Sequence, residues 1–475
     1  MMEIYLPTKL FKHLFLVFSF LLFALLANAQ KTWSGAAGAA WNVAGNWTPA
    51  GIPGAADAVT INAGATPVVT AAAVCASIQI NNSIANATTR LTINAGQTIT
   101  VGGGTGAVNI GNGGTGMGNG SASTTSILVN GTLISGNINQ SPSIRLNGAG
   151  GAGSDNLTIS ATGTVTVTGN VTGTSVPNPG PLATASVIFT GGGTLNVTGT
   201  FTTSVFTPST GIVNYNGTAL QSINPLYTTY GTLKSNNPAG VTLGAGVTVT
   251  NLVVGDIVAS SILNDNGKQI IGNAAGTFNL NSGTFNIGIP ATATSFPTLF
   301  TTGNIIIAAG TTVNYNSAQP QIIRAVNYGN LINTNNGNRT LEIAGTIGIR
   351  GTFTPGGGTY TVGTSTVSFN GTAAQVIPAL TFSFNNLIIN NNAGISSIGS
   401  DITVSNSLAL TNGVVTTGAN KIIIPSGASV SRTNGWVNGN LQQFIPSGAL
   451  SNFYVGSSTV YRPVVINFSD RKSVV

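Results

Sequence analysis

The chain has almost none of the residues on which most enzyme chemistry depends. It contains one histidine, His13, and one cysteine, Cys75. His13 lies in the segment that we predict below to be removed as a signal peptide, so the mature chain would contain no histidine. A nucleophilic triad needs a base such as histidine, and a zinc site needs several histidine or cysteine ligands, so the mature composition excludes both. A single cysteine forms no intramolecular disulfide. We interpret Cys75 as a small buried apolar side chain rather than a reactive thiol.

Charge is equally scarce, because only 5% of the 475 residues are charged, against about a quarter in ordinary globular proteins. The acidic residues are scattered, and this argues against calcium sites and paired catalytic carboxylates. A single ion held weakly by carbonyl groups is the alternative that remains. The net charge is +7, but the basic residues form no dense stripe for nucleic acid. We predict no enzyme activity, no metal, no cofactor and no nucleic-acid partner.

Long apolar runs are missing except at the amino end, where Leu14–Leu26 is interrupted only by Ser19. Lys9 and Lys12 precede this run, and Ala27-Asn28-Ala29 follows it with the small-residue pattern of a signal peptidase site. Thirteen helical residues span about 20 Å, less than the ~30 Å hydrocarbon core, which argues against the alternative of a membrane anchor. We therefore predict a signal peptide over residues 1–29, no transmembrane helix after it, and a secreted, extracellular protein associated with the cell surface.

Glycine, by contrast, is abundant at 64 residues, and most of the polarity comes from neutral Thr, Ser and Asn. Short stretches alternate apolar residues with Thr or Asn, as in Thr164–Thr168 and Thr277–Asn281, and turn residues bound them. Alternation with period two predicts β-strands with one buried face. The sequence therefore predicts an all-β protein.

One block of sequence occurs three times. It begins with Val-x-(Tyr/Phe)-Asn and ends with a glutamine, at Val213–Gln221, Val313–Gln321 and Val367–Gln375. An aromatic residue and, three residues later, a leucine follow each block: Tyr230 and Leu233, Tyr328 and Leu331, Phe384 and Leu387. Because Phe replaces Tyr in one copy, we expect these aromatic rings to pack in a core rather than to bind through a hydroxyl group.

Such repeats indicate a solenoid, in which each unit covers the open edge of its neighbour. The Asn and Thr bias favours a β-solenoid, since stacked Asn and Thr side chains satisfy one another along the stack. We predict a single-stranded right-handed parallel β-helix over residues 67–430, forming a monomeric rod with coils of about 20–25 residues. A tryptophan-rich cap over residues 30–66 precedes it, and the start of a truncated β domain over residues 431–475 follows. Tandem β-sandwich domains are the alternative.

The amino-terminal pattern Trp33…Trp41…Trp47…Asp57-x-Val-x-Ile61 resembles the opening of bacterial surface and autotransporter-like β-strand-repeat proteins. The triplicated block is similar to repeats in large secreted proteins of Bacteroidetes. Members of that group typically end in a sorting domain for the type IX secretion system, and this chain contains no such domain. The resemblance implies an exported surface protein and supplies no catalytic residues.

Trp33, Trp41 and Trp47 are candidate carbohydrate contacts, because indole rings pack on the apolar faces of sugar rings. The interpretation that we favour is different: the three rings cap the end of the solenoid and shield its first coil from water and from edge pairing.

A second candidate site is the one neighbourhood of mixed charge, which contains Arg324, Arg339, Glu342 and Arg350. A polysaccharide lyase or hydrolase needs carboxylates and a basic residue on one face, and three of these residues would align if they occupied adjacent coils. The alternative, which we favour, is that they lie singly on the outer surface or at turns.

The function predicted from sequence is a non-enzymatic, adhesin-like structural module that acts as a stiff extracellular rod or presentation scaffold. Its expected partners are surface glycans or other cell-surface proteins. The alternative is a carbohydrate-binding or polysaccharide-degrading β-helix protein. A sugar site requires exposed and clustered tryptophans or charges, whereas a scaffold requires buried tryptophans and scattered charges.

Overall fold

A computed structural model of the chain describes residues 29–81, 87–111, 123–142, 153–175, 182–447 and 450–467. Of the predicted signal peptide, only Ala29 is among them. The described residues form β-strands and three short 3₁₀ helices, Ala44–Asn46, Gly102–Gly104 and Thr302–Asn304, and they contain no α-helix. In these ranges no helix has the length and apolarity needed to cross a membrane. The prediction of an all-β protein is therefore confirmed for this part of the chain.

The chain divides into two compact units. Unit 1 comprises Met1–Leu195 and Phe201–Thr207, and unit 2 comprises Asn196–Thr200 and Pro208–Val475. The division falls within one strand, Thr194–Val197.

Unit 1 contains three sheets, whose strands are named in spatial order. Sheet A consists of Trp47–Thr48, Gln30–Trp33, Ala58–Ile61, Ser77–Ile80, Ala107–Ile110, Asn137–Gln140, Val171–Gly173 and Phe201–Thr202. Sheet B consists of Val68–Val69, Thr88–Ile93, Thr124–Val129, Ser154–Ile159, Thr184–Phe189 and Val205–Thr207. Sheet C includes Ala73–Cys75, Thr98–Val101, Thr132–Ser135 and Thr164–Val167.

The chain of unit 1 visits sheets B, C and A in turn and then returns to sheet B; we call one such circuit a coil. Neighbouring strands pair in parallel, and Thr124, Ser154 and Thr184 share one register position. These positions are 30 residues apart, as are Asn109 and Asn139 in sheet A. The expected coil of about 20–25 residues is therefore too short for these coils, whereas Val68 and Thr92, paired in sheet B, are 24 residues apart.

Apolar side chains of successive coils lie directly on one another in unit 1. In sheet A the register aligns Val59, Ile78, Val108, Ile138 and Val171, and each is at most 1% exposed. The residues between them in each strand are Thr, Asn or Gln and are partly exposed, as the alternating sequence predicts. Burial of each Val or Ile side chain contributes about 1.5–3 kcal/mol, so the inner columns supply most of the stability.

Unit 2 contains five groups of strands. Sheet D includes Ile212–Tyr215, Thr229–Ser235, Val247–Val254, Ile270–Ile271, Phe278–Leu280 and Ile305–Ile307. Sheet E consists of Gln221–Ser222, Val241–Thr242, Ile262–Asn264, Thr284–Ile287, Thr312–Tyr315, Asn330–Asn333 and Phe353–Thr354. Sheet F consists of Gln321–Ile323, Arg339–Leu341 and Tyr360–Thr361.

The remaining strands of unit 2 form sheets G and H. Sheet G consists of Asn327–Tyr328, Thr346–Ile349, Thr366–Phe369, Phe384–Asn390, Ile402–Asn412, Val414–Ile424, Ile395–Ile398, Gln375–Ile377, Ser429–Arg432, Trp436–Gln443 and Val455–Gly456. Sheet H is the antiparallel pair Leu450–Phe453 and Val464–Asn467. Sheets D to G are parallel, whereas the alternative of tandem β-sandwiches requires antiparallel sheets. Parallel pairing also continues past residue 430, since Val414–Ile424 pairs with Trp436–Gln443.

The three sequence repeats occupy equivalent places in unit 2. In each copy the strand that holds the valine pairs in parallel with the strand that holds the leucine, as in Val213 with Leu233 and Val367 with Leu387. The two aromatic rings of each copy are buried and in contact: Tyr215 with Tyr230, Tyr315 with Tyr328 and Phe369 with Phe384. Burial raises the pKa of Tyr315 to about 12. The expectation that these rings pack in a core is confirmed.

The repeated glutamine fastens each copy to the coil before it. Gln375 Nε2 donates to the carbonyl oxygens of Ile349 and Gly351, at 2.9 and 2.8 Å, and its Oε1 accepts from the Gly371 N–H. Gln221 bonds in the same way to Val197, Gly199 and Gly217, and Gln321 to Ile287, Thr294 and Ser317. Each glutamine is at most 5% exposed. The first carbonyl of each pair, that of Val197, Ile287 or Ile349, also accepts a backbone N–H. The glutamine is the donor to the second carbonyl, that of Gly199, Thr294 or Gly351.

A second buried amide supports the glutamine in two copies only. Asn391 Nδ2 donates to Gln375 Oε1 and to the carbonyl of Ala373, and Asn237 makes the same bonds in the first copy. In the second copy the corresponding carbonyl, that of Gln319, accepts from the guanidinium of Arg339 instead. A charged side chain thus replaces an amide as the donor at this position.

Asparagine side chains also form ladders along the stack, as the composition predicts. Asn286 Nδ2 donates to Asn264 Oδ1 at 2.7 Å, and Asn314 Nδ2 donates to Asn286 Oδ1 at 3.0 Å. A second ladder joins Asn390, Asn412 and Asn434 at 2.7 and 3.1 Å. An amide is both a donor and an acceptor, so one neutral side chain can repeat indefinitely in such a column.

We predict that Gln321→Ala lowers the free energy of unfolding of unit 2 by about 2–4 kcal/mol, because two carbonyl oxygens and one N–H lose their buried partner. Gln319→Ala, in the same turn, removes an exposed side chain and is expected to change it by less than about 0.5 kcal/mol. Hydrogen exchange of peptides that cover residues 312–323, measured at increasing urea concentrations, gives the free energy of unfolding of each variant. Equal effects of the two substitutions would contradict the proposed role of the glutamine.

Candidate functional site

The three amino-terminal tryptophans form one packed cluster in unit 1. The Trp41 and Trp47 ring centroids are 4.6 Å apart, those of Trp33 and Trp47 are 5.0 Å apart, and both pairs meet edge to face. Trp47 Nε1 donates to the carbonyl oxygen of Trp41 at 2.8 Å. The rings are 4%, 0% and 2% exposed for Trp33, Trp41 and Trp47. No ring face is open to water, so none is available to stack on a sugar.

The backbone around this cluster covers the first edge of sheet A. Trp47–Thr48 pairs antiparallel with Gln30–Trp33 and is only two residues long. Lys31 Nζ donates to the carbonyl oxygens of Pro49 and Ala50, which fixes the segment that follows. A short end strand with anchored flanks offers little backbone for pairing with another chain. This arrangement is what the capping interpretation expects of the tryptophans.

Two members of the mixed-charge neighbourhood are bound to backbone carbonyls. Arg339 is 1% exposed, and its guanidinium donates to six oxygen atoms, those of Tyr315, Ser317, Gln319, Asn333, Thr334 and Asn338. Arg350 donates to the carbonyls of Ile307, Asn327 and Tyr328. Desolvation lowers the pKa of both arginines. The expected surface position is therefore wrong for Arg339, because the turn carbonyls of its neighbours need a buried donor.

The other two members, Arg324 and Glu342, line one pocket of about 290 Å³ together with Ser295, Phe296, Thr298, Leu299 and Ile322. Glu342 Oε2 accepts from the Ala325 N–H at 2.6 Å. The Arg324 guanidinium lies 5.6 Å from the centroid of the Phe296 ring. Lys234 and Asp256 form an ion pair elsewhere in unit 2; within the described residues, no ion pair joins Arg324 to Glu342.

One wall of the pocket comes from a long connection in sheet E. Asn286 and Asn314 are 28 residues apart in neighbouring strands, whereas Thr312 and Asn330 in the next pair are 18 apart. The added residues include Ser295–Leu299. Sequence reasoning missed this wall, and the signal that points to it is the spacing of 100 residues between the first two repeat blocks.

Three polar side chains hold this wall in place, and one of them, Asp265, is buried. Asp265 accepts from the N–H groups of Gly267 and Gly288 and from the Thr294 hydroxyl. Gln269 Oε1 accepts from the Ser295 N–H. Arg324 donates to the carbonyl oxygens of Pro297 and Phe300 at 2.9 and 2.6 Å. Desolvation by burial raises the pKa of Asp265 even though these bonds favour its charged form.

A metal site does not accompany the pocket among the described residues. In the part of the chain that the structure describes, no three His, Cys, Asp or Glu side chains come together as metal ligands would. Cys75 is fully buried, and burial, with a smaller contribution from Asp57, raises the pKa of its thiol to about 12. The interpretation of Cys75 as a buried apolar residue is confirmed.

Comparison of the chain with protein-family models, with curated proteins and with solved structures yields no match. A functional assignment therefore rests on the geometry of the described residues.

We predict that Trp41→Ala lowers the free energy of unfolding of unit 1 by about 3–5 kcal/mol, because it empties the centre of a packed aromatic cluster. Trp436→Ala is the matched control, since Trp436 lies in unit 2 and is partly exposed. Urea unfolding followed by tryptophan fluorescence measures the change. A Trp41→Ala protein of unchanged stability that loses binding to a glycan array would restore the carbohydrate interpretation.

We also predict a pH dependence that originates in Asp265. Because its folded pKa is raised, its contribution to stability is fully present below the unfolded value of about 3.8 and is lost as pH rises through the folded pKa. In Asp265→Asn the substituted side chain is neutral at every pH. The free energy of unfolding of this variant, relative to that of wild type, should therefore increase with pH. Urea unfolding of both proteins between about pH 3 and about pH 7 tests this. A difference that does not vary with pH would contradict it.

Proposed function

We propose that the chain is a non-enzymatic, adhesin-like structural module of a secreted or cell-surface bacterial protein, and that it acts as a stiff extracellular rod or presentation scaffold. The fold that we propose for it is a right-handed parallel β-helix. Each unit would then resist bending and proteolysis because every coil is bonded to its neighbours along its whole length.

The observation that carries this proposal is the continuity of side-chain bonding from coil to coil. Buried glutamines bond to the turns of the preceding coil, asparagine ladders follow the strands, and apolar columns fill the interior. These contacts use side chains to join coils rather than to bind a ligand. Such a use of side chains is typical of a protein with a structural role.

Three features of the sequence support export. The segment Leu14–Leu26 with Ala27-Asn28-Ala29 has the form of a signal peptide. Low charge suits a scaffold whose solubility rests on hydroxyl and amide groups. The resemblance to Bacteroidetes surface repeats, which typically carry a type IX sorting domain, points in the same direction. Other cell-surface proteins and surface glycans are the partners that we propose.

Carbohydrate binding is the second candidate, and the pocket of Arg324 and Glu342 favours it. The tryptophan cluster does not support it, because its rings are buried. Polysaccharide hydrolysis is less well supported, since the usual mechanism needs two carboxylates about 5–10 Å apart. Glu342 is the one acidic residue in the pocket lining.

Deletion of one whole coil tests the scaffold and its fold together. Removal of residues 154–183 joins Gly153 to Thr184, and the next strands then meet their neighbours in unchanged register. We expect the shortened protein to fold, to keep its resistance to thermolysin, and to lose only the signal of one coil in circular dichroism. In a β-helix each coil contacts only its neighbours, so one coil is dispensable.

Deletion of residues 154–168, half a coil, is the matched control. It brings strands of different sheets together and is expected to unfold unit 1, which thermolysin would then digest. If the whole-coil deletion is digested as readily as the half-coil deletion, both the β-helix and the scaffold proposal are wrong.

A further inference from the structure

We infer that the pocket between Arg324 and Glu342 binds a neutral saccharide of one or two rings. This inference does not depend on the scaffold proposal; it rests on the second candidate function, carbohydrate binding, and names the class of saccharide for the same pocket. Its basis is the combination of one carboxylate, two hydroxyl groups and apolar walls around a single cavity of about 290 Å³.

The apolar part of the pocket includes two exposed side chains. Phe296 is 2% exposed and forms the base, whereas Leu299 and Ile322 are 64% and 55% exposed at the rim. Large apolar side chains left in water beside a cavity are typical of ligand contacts. The C–H face of a sugar ring fits such a wall, and burial of Leu299 and Ile322 would favour binding.

The polar groups have bonding capacity left for a ligand. One oxygen of Glu342 accepts from the Ala325 N–H, and the other has no protein donor among the described residues. Ser295 and Thr298, which carry hydroxyl groups, also line the cavity. A carboxylate that accepts from ligand hydroxyls forms charge-assisted hydrogen bonds, which are about twice as strong as neutral ones.

The charge of the pocket selects against ions. Arg324 and Glu342 both line the pocket, so its one positive and one negative charge balance. Arg324 would repel an ammonium ligand, and Glu342 would repel a carboxylate ligand. A neutral ligand with many hydroxyl groups avoids both repulsions. The pocket volume lies at the lower end of the range for ligand pockets. A cavity of this size fits one or two sugar rings better than a longer saccharide whose rings would all contact the wall.

The wall of the pocket is held in its shape before any ligand arrives. Arg324, Gln269 and Asp265 bond to the backbone between Gly288 and Phe300. Leu299 has a φ of +64°, a conformation that is strained for a leucine and that clusters at functional sites. These bonds therefore hold an exposed leucine in a strained position at the rim.

Ligand-observed NMR on the purified full chain tests the inference. The probes are glucose, galactose, mannose, N-acetylglucosamine and their disaccharides, with 1,4-diaminobutane and acetate as cationic and anionic probes. We expect saturable binding of at least one saccharide. Glu342→Gln should weaken it about tenfold, the loss expected for a charge-assisted hydrogen bond. Leu299→Gly should also weaken it while relieving the backbone strain, so this variant will fold.

Two control variants separate the pocket from general effects. Asp401→Asn removes an exposed carboxylate elsewhere in unit 2, and Leu226→Gly removes an exposed leucine outside the pocket. Both should bind the saccharide as wild type does. The inference is overturned if no saccharide binds, if the diamine or acetate binds in its place, or if binding is unchanged in Glu342→Gln and Leu299→Gly.

Discussion

The hydrogen bond between a buried carboxamide and the turn of the preceding coil is the interaction on which unit 2 depends. Parallel strands satisfy their own backbone groups, but the turns between them bring carbonyl oxygens into the interior with no strand to pair with. Gln221, Gln321 and Gln375 provide donors to such carbonyls, those of Gly199, Thr294 and Gly351. Once the glutamine is bonded to the turn of the preceding coil, the strands on either side of it begin in register with that coil, and the apolar columns can form.

Much of this fold can be predicted from the sequence because its rules are local. Period-two alternation defines the strands, glycine and asparagine define the turns, and the exchange of Tyr215 and Tyr315 for Phe369 indicates a buried ring. The lack of charge predicts the amide ladders, since neutral amides are the polar groups that can bond to copies of themselves. Each of these inferences needs only the preferences of a short segment.

The remaining features depend on partners that are distant in sequence. The coil length of unit 1 includes connections whose length leaves no periodic signal. Arg339 looks like a surface cation, and only the carbonyls of Tyr315, Ser317 and their neighbours reveal why it is buried. The pocket combines Glu342 with Phe296, which lie in different coils and share no motif. Local pattern therefore predicts the architecture, whereas the site requires knowledge of which coils are adjacent.

The asparagine ladders also set a chemical lifetime for the protein. Asn412 and Asn434 lie in one ladder, and each precedes a glycine, Gly413 and Gly435, in the sequence context where amide hydrolysis is fastest. Hydrolysis of one amide removes a donor from the column. Hydrolysis of both places two carboxylates within hydrogen-bond distance, where they cannot both ionise without repulsion. Amide hydrolysis therefore adds negative charge to a stack that neutral amides hold together.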